Sequence, residues 1–221
     1  MFQFERGCTP QPVVAALPSI HVVDDDAQVR TAVARLLASV GCYRVHAHGC
    51  ADAFRAAYDP EAHGCLVLDI RLPGLDGFGL QNELRESAHP PSIVFLSGCA
   101  DVQMCADAIR RGAVDFLTKP VDESLLLDSV ARALERDASL RAVRTQQAIA
   151  ASRIASLTPR EREVLTHVVA GRLNKQIAAD IGTAEKTVKV HRARAMEKMR
   201  VRSVAELVRL VERGGPSRLI A

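Results

Sequence analysis

The sequence predicts an α/β domain built on a five-stranded parallel sheet, followed by a small all-α domain of four helices. Three observations carry that expectation. From Ser19 to Ala138, short apolar runs rich in β-branched residues alternate with stretches of helical spacing, the pattern of βαβ units. Beyond Ser156 only helical spacing continues. Charge divides with the pattern: residues up to Ala138 carry 12 basic and 19 acidic side chains, and those beyond carry 17 basic and 7 acidic. So large an asymmetry assigns a polyanion to the second half and a cation or basic partner to the first.

Taken in order, residues 1–18 read as a loose extension. The apolar runs Ile20–Val23, Tyr43–Ala47, Cys65–Leu68, Ile93–Leu96 and Phe116–Leu117 fit buried strands, each bounded by Gly, Pro, Asp or Ser. Between and after them, helical spacing appears at Val29–Val40, Ala53–Ala57, Leu80–Leu84, Met104–Ile109 and Leu125–Leu134. Residues 139–156 contain no Gly or Pro and read as a connector, either helical or flexible. Residues 157–221 open on Thr158-Pro159-Arg160-Glu161, a capping box with Pro at the first helical position. Further helices fit Asn174 to Ile181, Glu185 to Met199 and Ser203 to about Val211, with Gly182 in the turn before the third.

All six cysteines (Cys8, Cys42, Cys50, Cys65, Cys99 and Cys105) lie in the first half without a CxxC pair or His/Cys ligand spacing, which argues against zinc and redox motifs. They fit free thiols of a reducing compartment. No apolar run reaches the roughly 20 residues of a membrane span, and the N-terminus has no signal-peptide pattern, so a cytoplasmic protein without membrane contact is expected.

In an open parallel sheet, ligands bind outside the carboxyl ends of the strands. Here the first strand runs into Asp24-Asp25-Asp26, the third into Asp69, the fourth into Ser97 and the fifth into Thr118-Lys119-Pro120. Crowded carboxylates raise one another's pKa, so the cluster is most stable around a divalent cation. Oxygen-only ligands point to Mg2+, an ion that bridges one or two carboxylates to a phosphate. The cluster therefore reads as a phosphoryl-transfer site with Asp69 as nucleophile, Lys119 paired with it, and Ser97 able to donate to the phosphoryl group.

The segments Val22-Val23-Asp24-Asp25, Leu66-Val67-Leu68-Asp69, Leu72-Pro73-Gly74, Phe95-Leu96-Ser97-Gly98 and Phe116-Leu117-Thr118-Lys119-Pro120 resemble those of a response-regulator receiver domain. That resemblance implies a flavodoxin-like fold with strand order 2-1-3-4-5 and phosphorylation of Asp69 by a sensor histidine kinase. It also implies Mg2+ held by Asp25, Asp69 and the Arg71 carbonyl, with Asp24 acting largely through water. By the same resemblance Ser97 and Lys119 are the phosphate-responsive pair, and Phe116 is either the aromatic switch or plain core. Val121 stands where Phe is common in the family, near the usual dimerising face.

In the second half, the helices at Asn174–Ile181 and Glu185–Met199 have helix-turn-helix spacing. Val188, Ala195 and Met199 fall on one side of the second helix. Lys186, Lys189, Val190, Ala193 and Arg194 fall on the other, where Lys reaches guanine or phosphate and Val reaches a thymine methyl. Leu157-Thr158-Pro159-Arg160-Glu161, Asn174-Lys175-Gln176-Ile177-Ala178 and Lys186-Thr187-Val188-Lys189-Val190-His191 resemble a LuxR-type DNA-binding domain. That adds Lys175 and Arg192 as phosphate contacts and leaves Ile177, Ala178 and Leu207 to the core. Ala184 replaces a capping Ser, with Thr183 as a substitute cap.

Together the two halves are similar to two-component response regulators of the FixJ/NarL class. The implied partners are a sensor histidine kinase, double-stranded DNA and a second copy once phosphorylated, with RNA polymerase a candidate. The implied function is regulation of transcription rather than enzymatic turnover. An aspartate-nucleophile phosphatase is one rival, although Arg71 holds the place where those enzymes need a second Asp. A DNA binder regulated without phosphate is another, opposed by the complete set Asp25, Asp69, Ser97 and Lys119.

Overall fold

The structure is a computed structural model that describes residues 17–98 and 101–214. Residues 1–16 of the expected extension, Cys8, Cys99 and residues 215–221 lie outside the described residues. The chain divides into two compact units, Met1–Ala138 and Ser139–Ala221.

In the first unit, β1 (Ser19–Val23), β2 (Arg44–His48), β3 (Gly64–Asp69), β4 (Ser92–Ser97) and β5 (Asp115–Thr118) alternate with helices. These are α1 (Ala27–Ser39), α2 (Ala51–Ala57), α3 (Gly77–Arg85), α4 (Val102–Arg110) and α5 (Glu123–Ala155), the last crossing the division between the units. The strands form one parallel sheet in the order β2-β1-β3-β4-β5. β1 and β3 lie inside it, and their near-continuous apolar residues follow from burial on both faces. On one face Ile20, Val22, Val67, Val94 and Leu96 pack with Val33 and Leu37 of α1 and Leu126 and Val130 of α5. On the other, Val23, Leu66, Leu68 and Phe95 pack with Phe54 of α2, Leu80 of α3 and Ala108 of α4. Each fully buried Leu, Ile or Phe contributes about 1.5–3 kcal/mol, so the two layers hold the strand ends in fixed register.

That register matters at Gly77. A Cβ there would sit 2.5 Å from the Asp69 carbonyl oxygen and 2.9 Å from the Ile70 Cα, so only glycine lets α3 start against the end of β3. The Gly77 amide in turn donates to the Ile70 carbonyl at 2.8 Å.

The second unit contains α6 (Pro159–Val169), α7 (Asn174–Asp180), α8 (Glu185–Lys198) and α9 (Val204–Gly214), together with residues 139–155 of α5. Its core gathers Ile154, Leu157, Val164, Leu165, Ile177, Val188, Ala195, Met199, Leu207 and Val211. The capping box closes as expected: the Glu161 amide donates to Thr158 Oγ1 at 3.3 Å, and the Thr158 amide donates to Glu161 Oε2 at 2.9 Å. The expected Thr183 cap does not form. Ala184 is the N-cap of α8 and has no side-chain bond, while Thr183 is held through its own amide to the Ala178 carbonyl at 2.9 Å. Among the described residues no helix is long and apolar enough to cross a membrane.

Candidate functional site

At the carboxyl end of the sheet, the turn after β1 and the last residue of β3 bring three carboxylates together. One oxygen each from Asp24, Asp25 and Asp69 lies within 4.8 Å of the others. Asp24 is fully buried, Asp69 nearly so, and Asp25 is exposed. Lys119, in the turn after β5, reaches between them, with its Nζ 2.6 Å from Asp69 Oδ2 and 2.7 Å from Asp24 Oδ2. The Asp69 contact is an aligned hydrogen bond, whereas the Asp24 contact is an ion pair that leaves Oδ2 without a well-directed donor. The Lys119 amide donates to the Ser97 carbonyl at 2.7 Å, which ties the ends of β4 and β5 together. Arg71 is exposed, and its amide donates to Asp69 Oδ1 at 3.2 Å.

Burial raises the Asp24 carboxyl above the usual range, and Asp69 adds to the rise, while the Lys119 ammonium opposes it. Burial also disfavours the Lys119 ammonium, but its close contacts with the Asp24 and Asp69 carboxylates outweigh that and raise its pKa. The ammonium thus neutralises part of a crowded anionic site. An all-oxygen donor set, with one buried carboxylate oxygen poorly satisfied, has the chemistry that suits a hard divalent cation. Ser97 is buried at the end of β4. Phe116, half-buried in β5 opposite Phe95, packs against the cluster that α2, α3 and α4 cover. The structure therefore brings Asp24, Asp25, Asp69 and Lys119 together, with Ser97 joined to them through the backbone of Lys119. Val121 packs where α1 and α5 meet the sheet, beside Val29, Leu36 and Leu126. These residues line a largely apolar groove of about 290 Å³.

Sequence reasoning passed over Arg30. It lies one turn into α1, and its guanidinium donates to the carbonyls of Asp24 at 2.6 Å and Asp25 at 3.3 Å. Those partners are backbone atoms, so no pairing of side-chain types announces the contact.

In the second unit, Lys175, Lys186, Lys189, Val190 and Arg194 are exposed, and Val188, Ala195 and Met199 are buried on the opposite side of α8. Lys189 pairs with Glu185 one turn earlier at 2.9 Å. Arg192 is half-buried and donates to Asn174 Oδ1 at 2.9 Å, so the first residue of α7 orients it. Asn174 is a second positioning side chain that its sequence context did not single out. Below α8, Lys198 Nζ meets the buried Glu161 carboxylate at 2.6 Å, and this bond holds Glu161 below the usual carboxylate range. The capping box of α6 is thereby fastened to the end of α8.

Residues 20–131 match the family model of the response regulator receiver domain, and residues 155–211 match that of bacterial regulatory proteins of the luxR family. Nodulation protein W of Bradyrhizobium diazoefficiens is 44% identical over 199 residues, covering 90% of this chain and 87% of that protein. The transcriptional regulatory protein FixJ of Azorhizobium caulinodans is 40% identical over 191 residues, covering 86% of this chain and 90% of that protein. Among solved structures, the response regulator StyR superposes with a TM-score of 0.81 at 44% identity, over 89% of this chain and 99% of that one.

Proposed function

The chain belongs to the two-component response regulators that join a receiver domain to a LuxR-type DNA-binding domain, and from that membership we propose that a sensor histidine kinase phosphorylates Asp69 and so controls dimerisation, sequence-specific DNA binding and transcription. We assign the receiver to residues 19–138, a connector to 139–156 and the DNA-binding domain to 157–221. The observation that carries the reading is the Lys119 ammonium held between Asp69 and Asp24 at 2.6 and 2.7 Å.

An Asp69 carboxylate oxygen attacks the phosphorus of a phosphohistidine. The P–N bond breaks with its electron pair returning to the imidazole, and an acyl phosphate forms on Asp69. Asp25, Asp69 and the Arg71 carbonyl would hold Mg2+, with Asp24 acting through water, and the ion would neutralise charge on the phosphoryl oxygens. Lys119 exchanges the carboxylate for a phosphoryl oxygen, and the Ser97 hydroxyl donates to another. Phe116 repacks behind them, altering the face of α4, β5 and α5. The phosphoryl group brings about 1.5–2 negative charges, a local event that biases a two-state element. In the second unit, Lys186, Lys189, Val190 and Arg194 meet base edges and backbone, while Lys175 and Arg192 bind phosphates. RNA polymerase is the proposed recipient of the regulated signal.

Incubation with acetyl phosphate and Mg2+, followed by peptide mapping, tests the site. One base-labile phosphoryl group on Asp69 is the expected product. Repeated turnover of phosphoesters would favour an aspartate-nucleophile phosphatase instead.

A further inference from the structure

The turn that leaves β1 is made of three consecutive acidic residues, and each is held differently. Asp24 Oδ1 accepts the amide of Asp26 at 3.0 Å. Asp26 Oδ1 caps α1, accepting the amides of Gln28 at 2.8 Å and Val29 at 3.3 Å. Asp25, between them, carries the exposed carboxylate of the cluster, and the turn's backbone decides where that carboxylate points. Arg30 Nη1 reaches back from α1 to the carbonyls on both sides of the Asp25 peptide, at 2.6 and 3.3 Å. The half-buried guanidinium also lies beneath the turn after β2: a Cβ on Gly49 would sit 3.5 Å from the same nitrogen.

We propose that Arg30 is a positioning residue for the cation site, clamping the Asp24 and Asp25 carbonyls so that the Asp25 carboxylate is preset toward Asp24 and Asp69. The proposal rests on the reading of those three carboxylates as a magnesium site. Two effects of Arg30 oppose each other. Its positive charge repels an incoming cation, and its hydrogen bonds remove the freedom of the turn that the cation must otherwise freeze. The repulsion is weak near the surface, where the effective dielectric is high. Partners that orient metal ligands are worth about 10-fold or more in metal affinity. Positioning therefore wins, and loss of the side chain weakens the site although it removes a like charge.

Calorimetric titration of the full chain with MgCl2 alone separates the two effects. Arg30→Ala is expected to bind Mg2+ about 10-fold more weakly. Arg30→Lys keeps the charge but replaces the planar fork by a point donor, and is expected to fall between Arg30→Ala and the parent. At saturating Mg2+, the rate of phosphorylation by acetyl phosphate should return to the parental value in both. Unchanged or tighter binding in Arg30→Ala overturns the proposal, as does a loss that saturating Mg2+ does not repair. If Arg30→Ala fails to fold, Arg30→Lys and Arg30→Gln decide on the same two readouts. A parent protein that binds no Mg2+ would instead remove the site reading itself, and this clamp with it.

Discussion

Lys119 is placed where removing one ammonium leaves two carboxylates facing each other. Asp24 is fully buried and Asp69 almost so, and each lies within 2.7 Å of Nζ. Breaking a buried pair by deleting one partner costs about 3–5 kcal/mol, and a site open to solvent on one side should lie at the lower end, at about 3 kcal/mol. Lys119→Ala should therefore lower the receiver's melting temperature without Mg2+, recover most of the loss when Mg2+ is added, and still bind the ion. A variant that melts at the parental temperature in both conditions would remove Lys119 from the charge balance. At this scale the sequence was informative wherever a residue acts through its own side chain at a strand end. Asp69, Ser97 and Lys119 could be read because parallel topology sends every strand end to one edge. Arg30 and Asn174 could not, since one grips backbone carbonyls and the other orients a side chain 18 residues away.

The paired edge of β1 and β2 carries its own pH dependence. His21 faces His46 in the strand register, and its Nδ1 lies 3.0 Å from His48 Nε2, so one neutral ring donates to the other. Burial, with His46 and His48 adding to it, lowers the His21 pKa to about 4; burial and His46 lower that of His48. Below the ordinary histidine value of 6.5, the unfolded chain binds protons that the folded one refuses. Stability is thus complete above about pH 6.5 and falls as the pH drops toward 5, by about 1.4 kcal/mol per unit for each fully responding group. Denaturant midpoints from pH 7.5 to 5 should slope less steeply in His21→Val than in the parent, and an equal slope would rule out this origin. Period-2 spacing puts His46 and His48 on one face of β2, but their partner comes from another strand whose register the sequence does not state. The capping box of α6 was readable because all its members lie within four residues, while its fastening to Lys198 was not. For α8, buried and exposed sides were legible from helical spacing, and so was the capping position at Ala184, although the substitute cap from Thr183 does not form. Lys175, outside that helix, is assigned to phosphate, so Lys175→Ala should reduce the salt slope of DNA binding by about one unit and weaken specific and nonspecific binding alike. Equal slopes would take Lys175 off the DNA.

Across the whole molecule, 19 acidic residues gather in the first 138 positions and 17 basic residues in the rest, and this contrast tells the two units apart before any motif is read. The acidic unit brings Asp24, Asp25 and Asp69 together where β1 and β3 end, and the basic unit displays Lys186, Lys189 and Arg194 along one exposed side of α8. What composition and motifs leave open is the coupling between the units, because it depends on the energy difference between two states and not on which residues are present. The proposed coupling runs from a phosphoryl group on Asp69 to a dimer that holds two DNA-binding units together. Joining two weak contacts raises apparent affinity without any new contact. The most direct measurement is sedimentation of the full chain with and without beryllofluoride and Mg2+, paired with its affinity for duplexes selected from a random pool, in the parent and in Asp69→Asn. A shift from monomer to dimer with tighter DNA binding, seen in the parent and lost in Asp69→Asn, is the expected result. An unchanged mass with unchanged DNA affinity, or the same shift in both proteins, would contradict control through Asp69.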